Sequence, residues 1–94
     1  MDTQRLAQLR LQIDHIDGRL VQLLNERATV ALEIGTIKKE APVYDPSREQ
    51  AVIDNAQNCN DGPLLPEDVG TIMAAIIGAC RGLQQSQRPT PPGA

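Results

Sequence analysis

QRLAQLRLQIDHIDGRLVQLLNERATVALEIGTIKK, residues 4–39, sets the architecture of this 94-residue chain. Apolar side chains recur in it at alternating spacings of three and four, the heptad pattern of a helix that packs against another helix. The positions of this seam are Leu6, Leu9, Ile13, Ile16, Leu20, Leu23, Arg27, Val30, Ile34 and Ile37. The pattern predicts one long helix over residues 4–39.

A helix of this length is too long for its own chain to cover. At ~1.5 Å per residue it spans ~54 Å, whereas a compact domain of this size is only ~30 Å across. Small domains also bury a low fraction of their surface, so they are marginally stable alone. We therefore expect a partner to cover the helix.

Two shorter helices are predicted after the long one. Asp45 and Pro46 are typical of a helix cap and a first helical residue, and this helix should run to about residue 58. Pro66 opens a third helix, which should end near residue 87. The Pro-rich residues 88–94 should form a disordered tail, so that residues 1–87 make up a single all-α domain.

The composition excludes several classes of function. The formal net charge of −3 argues against nucleic acid as a partner, because that binding depends on clustered Lys and Arg. No run approaches the ~20 apolar residues of a membrane span, and the N-terminus lacks the apolar run of a signal peptide. We expect a cytoplasmic protein with no membrane partner. Cys59 and Cys80 lack metal-ligand spacing, so we predict no metal. No Gly-rich phosphate loop stands out either, and we predict no cofactor.

Three cations share one face of the long helix. Arg27 lies inside the apolar seam, where a charge is costly unless it meets an opposite one. Lys38 returns within ~20° of the same direction, ~16 Å further along, which suits a small anion held between them. Arg10 lies ~25 Å before Arg27, so it can join that site only from the second chain of an antiparallel dimer. Each cation alone also fits a structural role: register-fixing Arg27, solvated Lys38, or Arg10 paired with Asp14.

Five further candidates lie at or on the shorter helices. Arg48 and Glu49 form either a solvated charge pair or the polar wall of a pocket. Asp45 is a helix cap, and a cap can also present backbone N–H groups to a ligand. Cys80 alone is typical of small core filler. Gln84, on the same helix face, is either a surface residue or a partly buried amide that needs partners.

The ordered set of these residues resembles the all-helical chorismate mutases. The resemblance runs through residues 9–38, the segment VYDPSRE at 43–49 and the segment IIGACRGLQ at 76–84. It covers about residues 6–85 and is most like the mutase domain of bifunctional mutase–prephenate dehydratase enzymes. It implies an intertwined homodimer, a six-helix bundle with two active sites. It also implies the rearrangement of chorismate to prephenate, toward phenylalanine and tyrosine.

The resemblance implies a role for each cation and for one amide. Arg10 of the partner subunit, Arg27 and Lys38 are expected to bind the substrate carboxylates. Lys38 and Gln84 are expected to hydrogen-bond the ether oxygen of the substrate. A unimolecular rearrangement needs no nucleophile or metal, which agrees with the absence of both signatures from the sequence.

The remaining candidates form the rest of the pocket in this family. Glu49 is expected to bind the ring hydroxyl, with Asp45 supporting it through its backbone, and Arg48 to line the pocket. Cys80 stands where some members carry Ser. Three alternatives stay open: an isochorismate–pyruvate lyase of the same fold, a non-catalytic helical dimerisation module, and a regulatory domain that binds an aromatic metabolite.

Overall fold

The computed structural model describes residues 2–38 and 41–87. Three helices follow one another along the chain: α1 is Asp2–Ile37, α2 is Pro46–Cys59 and α3 is Pro66–Gln87. The prediction of three helices is confirmed, and the described residues contain no strand. α1 begins and ends slightly earlier than predicted. Lys39 at its predicted end, and the predicted disordered tail of residues 88–94, lie outside the described residues.

α1 continues for 36 residues because no proline interrupts it. Asp2 lies in its first turn, where a carboxylate is stabilised by the positive end of the helix dipole. At the other end, the Lys38 N–H still donates to the Ile34 carbonyl at 3.0 Å, and the Ala41 N–H donates to the Lys38 carbonyl at 3.2 Å. The helix stops ahead of Pro42, because a proline disfavours helical backbone at the residue before it.

α2 begins at the predicted cap. The Arg48 backbone N–H donates to Oδ1 of Asp45 at 3.1 Å, and Pro46 occupies the first turn. The turn between α2 and α3 is fixed by side-chain amides. Nδ2 of Asn60 donates to the Leu64 carbonyl at 2.8 Å, and Nε2 of Gln57 donates to the Pro66 carbonyl at 3.0 Å.

α3 is the centre of the packing. It packs against both α1 and α2, whereas α1 and α2 do not pack on each other in the described part of the chain. Ile77 and Cys80 of α3, each 7% exposed, are the only buried side chains among the described residues. The core is therefore small and lies beside the C-terminal part of α1.

The N-terminal part of α1 projects away from this core. The molecule measures 66 × 25 × 20 Å, and no residue of α1 is buried. Its seam side chains are bare: Ile13 is 56% exposed, Leu20 51% and Leu23 57%. This confirms that one chain does not cover its own long helix. In the described ranges, no helix is long and apolar enough to cross a membrane.

Candidate active site

A cleft of about 520 Å³ lies where the three helices meet. The C-terminal part of α1 forms one side, the segment before α2 and the first two turns of α2 form another, and α3 closes the base. Its lining residues are Arg27, Val30, Ala31, Ile34, Lys38, Val43, Asp45, Arg48, Glu49, Val52, Ile77, Cys80, Arg81 and Gln84. A cleft of this size suits a small molecule.

Seven of the eight predicted site residues line this one cleft. They are Arg27, Lys38, Asp45, Arg48, Glu49, Cys80 and Gln84. Arg10 does not line it within the single chain. It is exposed on α1, and the helical rise places it ~25 Å before Arg27. The structure therefore agrees with the expectation that Arg10 cannot serve the cleft of its own chain.

The cleft is cationic although the chain is acidic. Its lining contains Arg27, Lys38, Arg48 and Arg81 against two acids, Asp45 and Glu49, a formal excess of two positive charges. The whole chain carries a formal net charge of −3. Positive side chains in a partly enclosed cleft with apolar walls focus the field and attract a small anion. A ligand with two negative charges would balance this lining.

Two of these guanidinium groups are available to a ligand. Among the residues that the structure describes, no side-chain hydrogen bond or ion pair engages Arg27 or Arg48. Arg27 is half-buried, and the alternative pairing of Arg10 with Asp14 does not form. A guanidinium can bind a carboxylate through two parallel hydrogen bonds.

Gln84 is held against α1 by a backbone carbonyl. It is half-buried, and its Nε2 donates to the Ala31 carbonyl at 2.6 Å. Because a carbonyl oxygen only accepts, this contact orients the amide with its NH₂ group toward α1. The second N–H of the same nitrogen remains to donate to a ligand. The prediction of a partly buried amide is confirmed, and the surface alternative is wrong.

Glu49 is paired across the fold and not with its neighbour Arg48. Nη1 of Arg81 lies 2.7 Å from both Oε1 and Oε2 of Glu49. The Arg81 guanidinium carbon also lies 4.7 Å from the centroid of the Tyr44 ring. The alternative of a solvated Arg48–Glu49 pair is therefore wrong, because α3 supplies the partner instead.

Arg81 is the one charged residue of the described lining that was not predicted from the sequence. It lies four residues after Ile77 and three before Gln84, so helical periodicity places all three on one face. That spacing was the available signal. A charged residue between a buried apolar position and a half-buried amide predicts a role in the same cleft.

The cysteines are free, with Cys59 exposed and Cys80 buried. Cys80 lines the base of the cleft and contributes a small apolar surface there. In the described ranges, no group of three or more His, Cys, Asp and Glu side chains could hold a metal ion.

Comparison with known proteins gives a consistent result. Residues 9–85 match the family model described as chorismate mutase type II. The bifunctional chorismate mutase/prephenate dehydratase of Pseudomonas aeruginosa is 37% identical over 91 residues, which is 89% of this chain and 25% of that protein. The chain thus spans about a quarter of the length of this bifunctional relative.

Two shorter proteins match over most of their length. The chorismate mutase of Methanocaldococcus jannaschii is 30% identical over 76 residues, covering 79% of this chain and 77% of that protein. The crystal structure of chorismate mutase from Helicobacter pylori in complex with prephenate superposes with a TM-score of 0.84 at 31% identity. That superposition covers 88% of this chain and 92% of the other.

Proposed function

The chain belongs to the chorismate mutase type II family, and on that basis we propose that it rearranges chorismate to prephenate. The observation that carries the proposal is the cleft, whose lining has an excess of two positive charges. Chorismate and prephenate are both dianions of a size that such a cleft can enclose. A second supporting observation is that a structural neighbour was crystallised with prephenate.

The reaction requires binding and orientation more than reactive groups. One C–O bond breaks while one C–C bond forms, and no proton, metal or nucleophile is needed. An enzyme accelerates such a step by holding the substrate in its compact reactive shape. Arg27 of α1 and Lys38, which directly follows α1, both line the cleft. In this proposal they bind the two carboxylates. Arg48 lines the opposite wall of the cleft.

The breaking bond leaves negative charge on the ether oxygen. We assign Lys38 and Gln84 as the donors to that atom. Donors that are fixed before the reaction stabilise the transition state more than the ground state. The contact of Gln84 with the Ala31 carbonyl at 2.6 Å supports this assignment, because it fixes one such donor in advance.

The opposite wall of the cleft binds the ring of the substrate in this proposal. Glu49 accepts the ring hydroxyl, and Asp45 supports it through the backbone at the start of α2. Cys80 contributes a small side chain to the base of the cleft, and its thiol is a weaker hydrogen-bond donor than the hydroxyl of Ser.

We propose that the working unit is a homodimer. The bare seam of α1 supports this, since Ile13, Leu20 and Leu23 are each more than half exposed in one chain. In an antiparallel pair, Arg10 of each chain would reach the cleft of the other and add a cation to it. Residues 1–87 would form this mutase domain, and we expect it to act in the cytoplasm.

Purified protein supplied with chorismate provides the test. The loss of chorismate absorbance in the ultraviolet, with prephenate identified as the product, would support the proposal. Isochorismate should be supplied in parallel, with pyruvate release as the signal of lyase activity. Pyruvate release from isochorismate without turnover of chorismate would replace the proposal with the lyase. Binding of either compound without turnover would leave a regulatory domain.

A further inference from the structure

Arg81 connects three parts of the chain through a single side chain. From α3, its Nη1 lies 2.7 Å from both carboxylate oxygens of Glu49 on α2. Its guanidinium carbon lies 4.7 Å from the ring centroid of Tyr44, in the segment between α1 and α2. Arg81 and Glu49 both line the cleft. One side chain therefore fixes the wall of the cleft that faces Lys38 and Arg27.

The ion pair of Arg81 and Glu49 is partly shielded from solvent. The side chain of Arg81 is 32% exposed and that of Glu49 is 22% exposed, so the pair is screened less than a surface pair. The ring of Tyr44 provides a face on which the planar guanidinium stacks. These two contacts restrict the rotamers of both charged side chains.

The negative charge of Glu49 is unfavourable in a cleft that binds a dianion. An unpaired carboxylate in the lining would repel both negative groups of the ligand. Pairing with Arg81 makes the two side chains neutral as a unit, so that Glu49 no longer opposes the positive charge of the rest of the lining. Nη1 occupies only part of the acceptor capacity of the carboxylate, which has about four lone-pair sites. Glu49 can therefore still accept one hydroxyl.

We propose that Arg81 is a positioning residue that acts on the substrate through Glu49. It holds the carboxylate at the cleft wall, ready to accept the ring hydroxyl, and cancels its repulsion of the dianion. This inference rests on the proposed function. It differs from a role in direct contact with a substrate carboxylate, because the described Arg81 is already engaged by a carboxylate and a ring.

A double-mutant cycle tests the proposal. The kcat and KM for chorismate are measured for the wild type, Arg81→Gln, Glu49→Gln and the double variant. If Arg81 acts through Glu49, its removal alone should raise KM about tenfold, and less than about twofold once Glu49 is already Gln. Equal losses in both backgrounds would mean that Arg81 binds the substrate directly, and would overturn the proposal.

Two further variants separate positioning from folding and from net charge. Arg81→Lys keeps a cation beside Glu49 and should bring KM back to within about threefold of the wild type. A KM as high as that of Arg81→Gln would overturn the proposal. Arg5→Gln removes one exposed arginine outside the cleft and should change KM less than about twofold. A rise in KM for Arg5→Gln as large as that for Arg81→Gln would also overturn the proposal.

Circular dichroism of each variant checks that the helices remain formed, and Arg81→Lys supplies the test if Arg81→Gln does not fold.

The proposed mutase activity and the proposed role of Arg81 can fail separately. A wild type without chorismate turnover removes the mutase activity and this inference together. Turnover with additive losses in the cycle removes the inference alone.

Discussion

The amide of Gln84 is oriented as a hydrogen-bond donor by its contact with α1, and it needs no change of charge to act as one. Its contact with the Ala31 carbonyl needs a donor, and an amide is a donor at every pH at which the protein is folded. The proposed transfer of charge to the ether oxygen therefore needs no titrating group at this position. Because its amide does not ionise, Gln84 should contribute no pH dependence to the activity of the wild type.

Gln84→Glu should make the activity depend on acid. An ionised carboxylate has no proton to donate and would face the carbonyl of Ala31, which raises the pKa of the new carboxyl above its ordinary ~4.3. Only the protonated form can donate, so activity should be present below that pKa and disappear as the pH rises through it. Measuring kcat/KM from roughly pH 4 to 8 tests this, with Gln84→Ala as the variant that should stay impaired throughout. A Glu variant as insensitive to pH as the wild type would contradict it.

Lys38→Ala should abolish most of the turnover and leave the fold intact. Loss of one fixed donor to a developing negative charge typically lowers kcat by about 10²–10³-fold, and Lys38 would also contribute a full charge. The side chain is exposed, so circular dichroism and sedimentation should be unchanged. Arg5→Ala, which removes a cation outside the cleft, serves as the control. Near-normal turnover by Lys38→Ala would exclude it from the mechanism.

The site could be predicted from the sequence only where helical spacing brings residues together. Arg27 lies on α1, and Lys38 directly follows α1 with its N–H still donating to the Ile34 carbonyl. The period of the helix therefore brings both side chains to one face. The partner of Glu49 is 32 residues away and the partner of Gln84 is 53 residues away. Such contacts depend on how α3 lies between α1 and α2. The spacing of residues within one helix does not determine that arrangement.

At the scale of the elements, the start of α2 depends on one carboxylate. Asp45→Ala removes the acceptor for the Arg48 N–H and should lower the free energy of unfolding by about 1 kcal/mol. Asp45→Asn keeps an oxygen that can accept and should stay within a few tenths of a kcal/mol of the wild type. Urea denaturation followed by circular dichroism measures both. Equal losses of unfolding free energy in the two variants would mean that the negative charge of Asp45, and not its hydrogen bond as a cap, stabilises α2.

The helices themselves were predictable because their signals are local. A sustained heptad seam without proline predicts α1, and Asp-Pro and Pro-Glu-Asp predict the starts of α2 and α3. The ends of α1 and α2 differ from prediction by one or two residues, since helix ends fray. The packing of α3 on both other helices was not predictable, because apolar faces indicate burial but not the neighbour that provides it.

At the scale of the whole molecule, the shared site can be tested by mixing two inactive proteins. Arg10→Ala and Arg27→Ala should each be inactive, yet a heterodimer of the two has one site with both lesions and one site with none. Random refolding of equal amounts should recover roughly a quarter of the wild-type activity, since half of the dimers are mixed. No recovery from heterodimers that have been shown to form would mean that each site is built from one chain.

The small core beside α3 also bears on how the molecule behaves on dilution. With only Ile77 and Cys80 buried among the described residues, most of the apolar area that stabilises the fold would be supplied on association. Unfolding and dissociation should then be one transition governed by mass action. The melting temperature should rise with chain concentration, and specific activity should decline when the enzyme is diluted far enough for chains to separate. A melting temperature that is the same over a hundredfold range of concentration, roughly 1 to 100 μM, would mean that each chain is stable by itself.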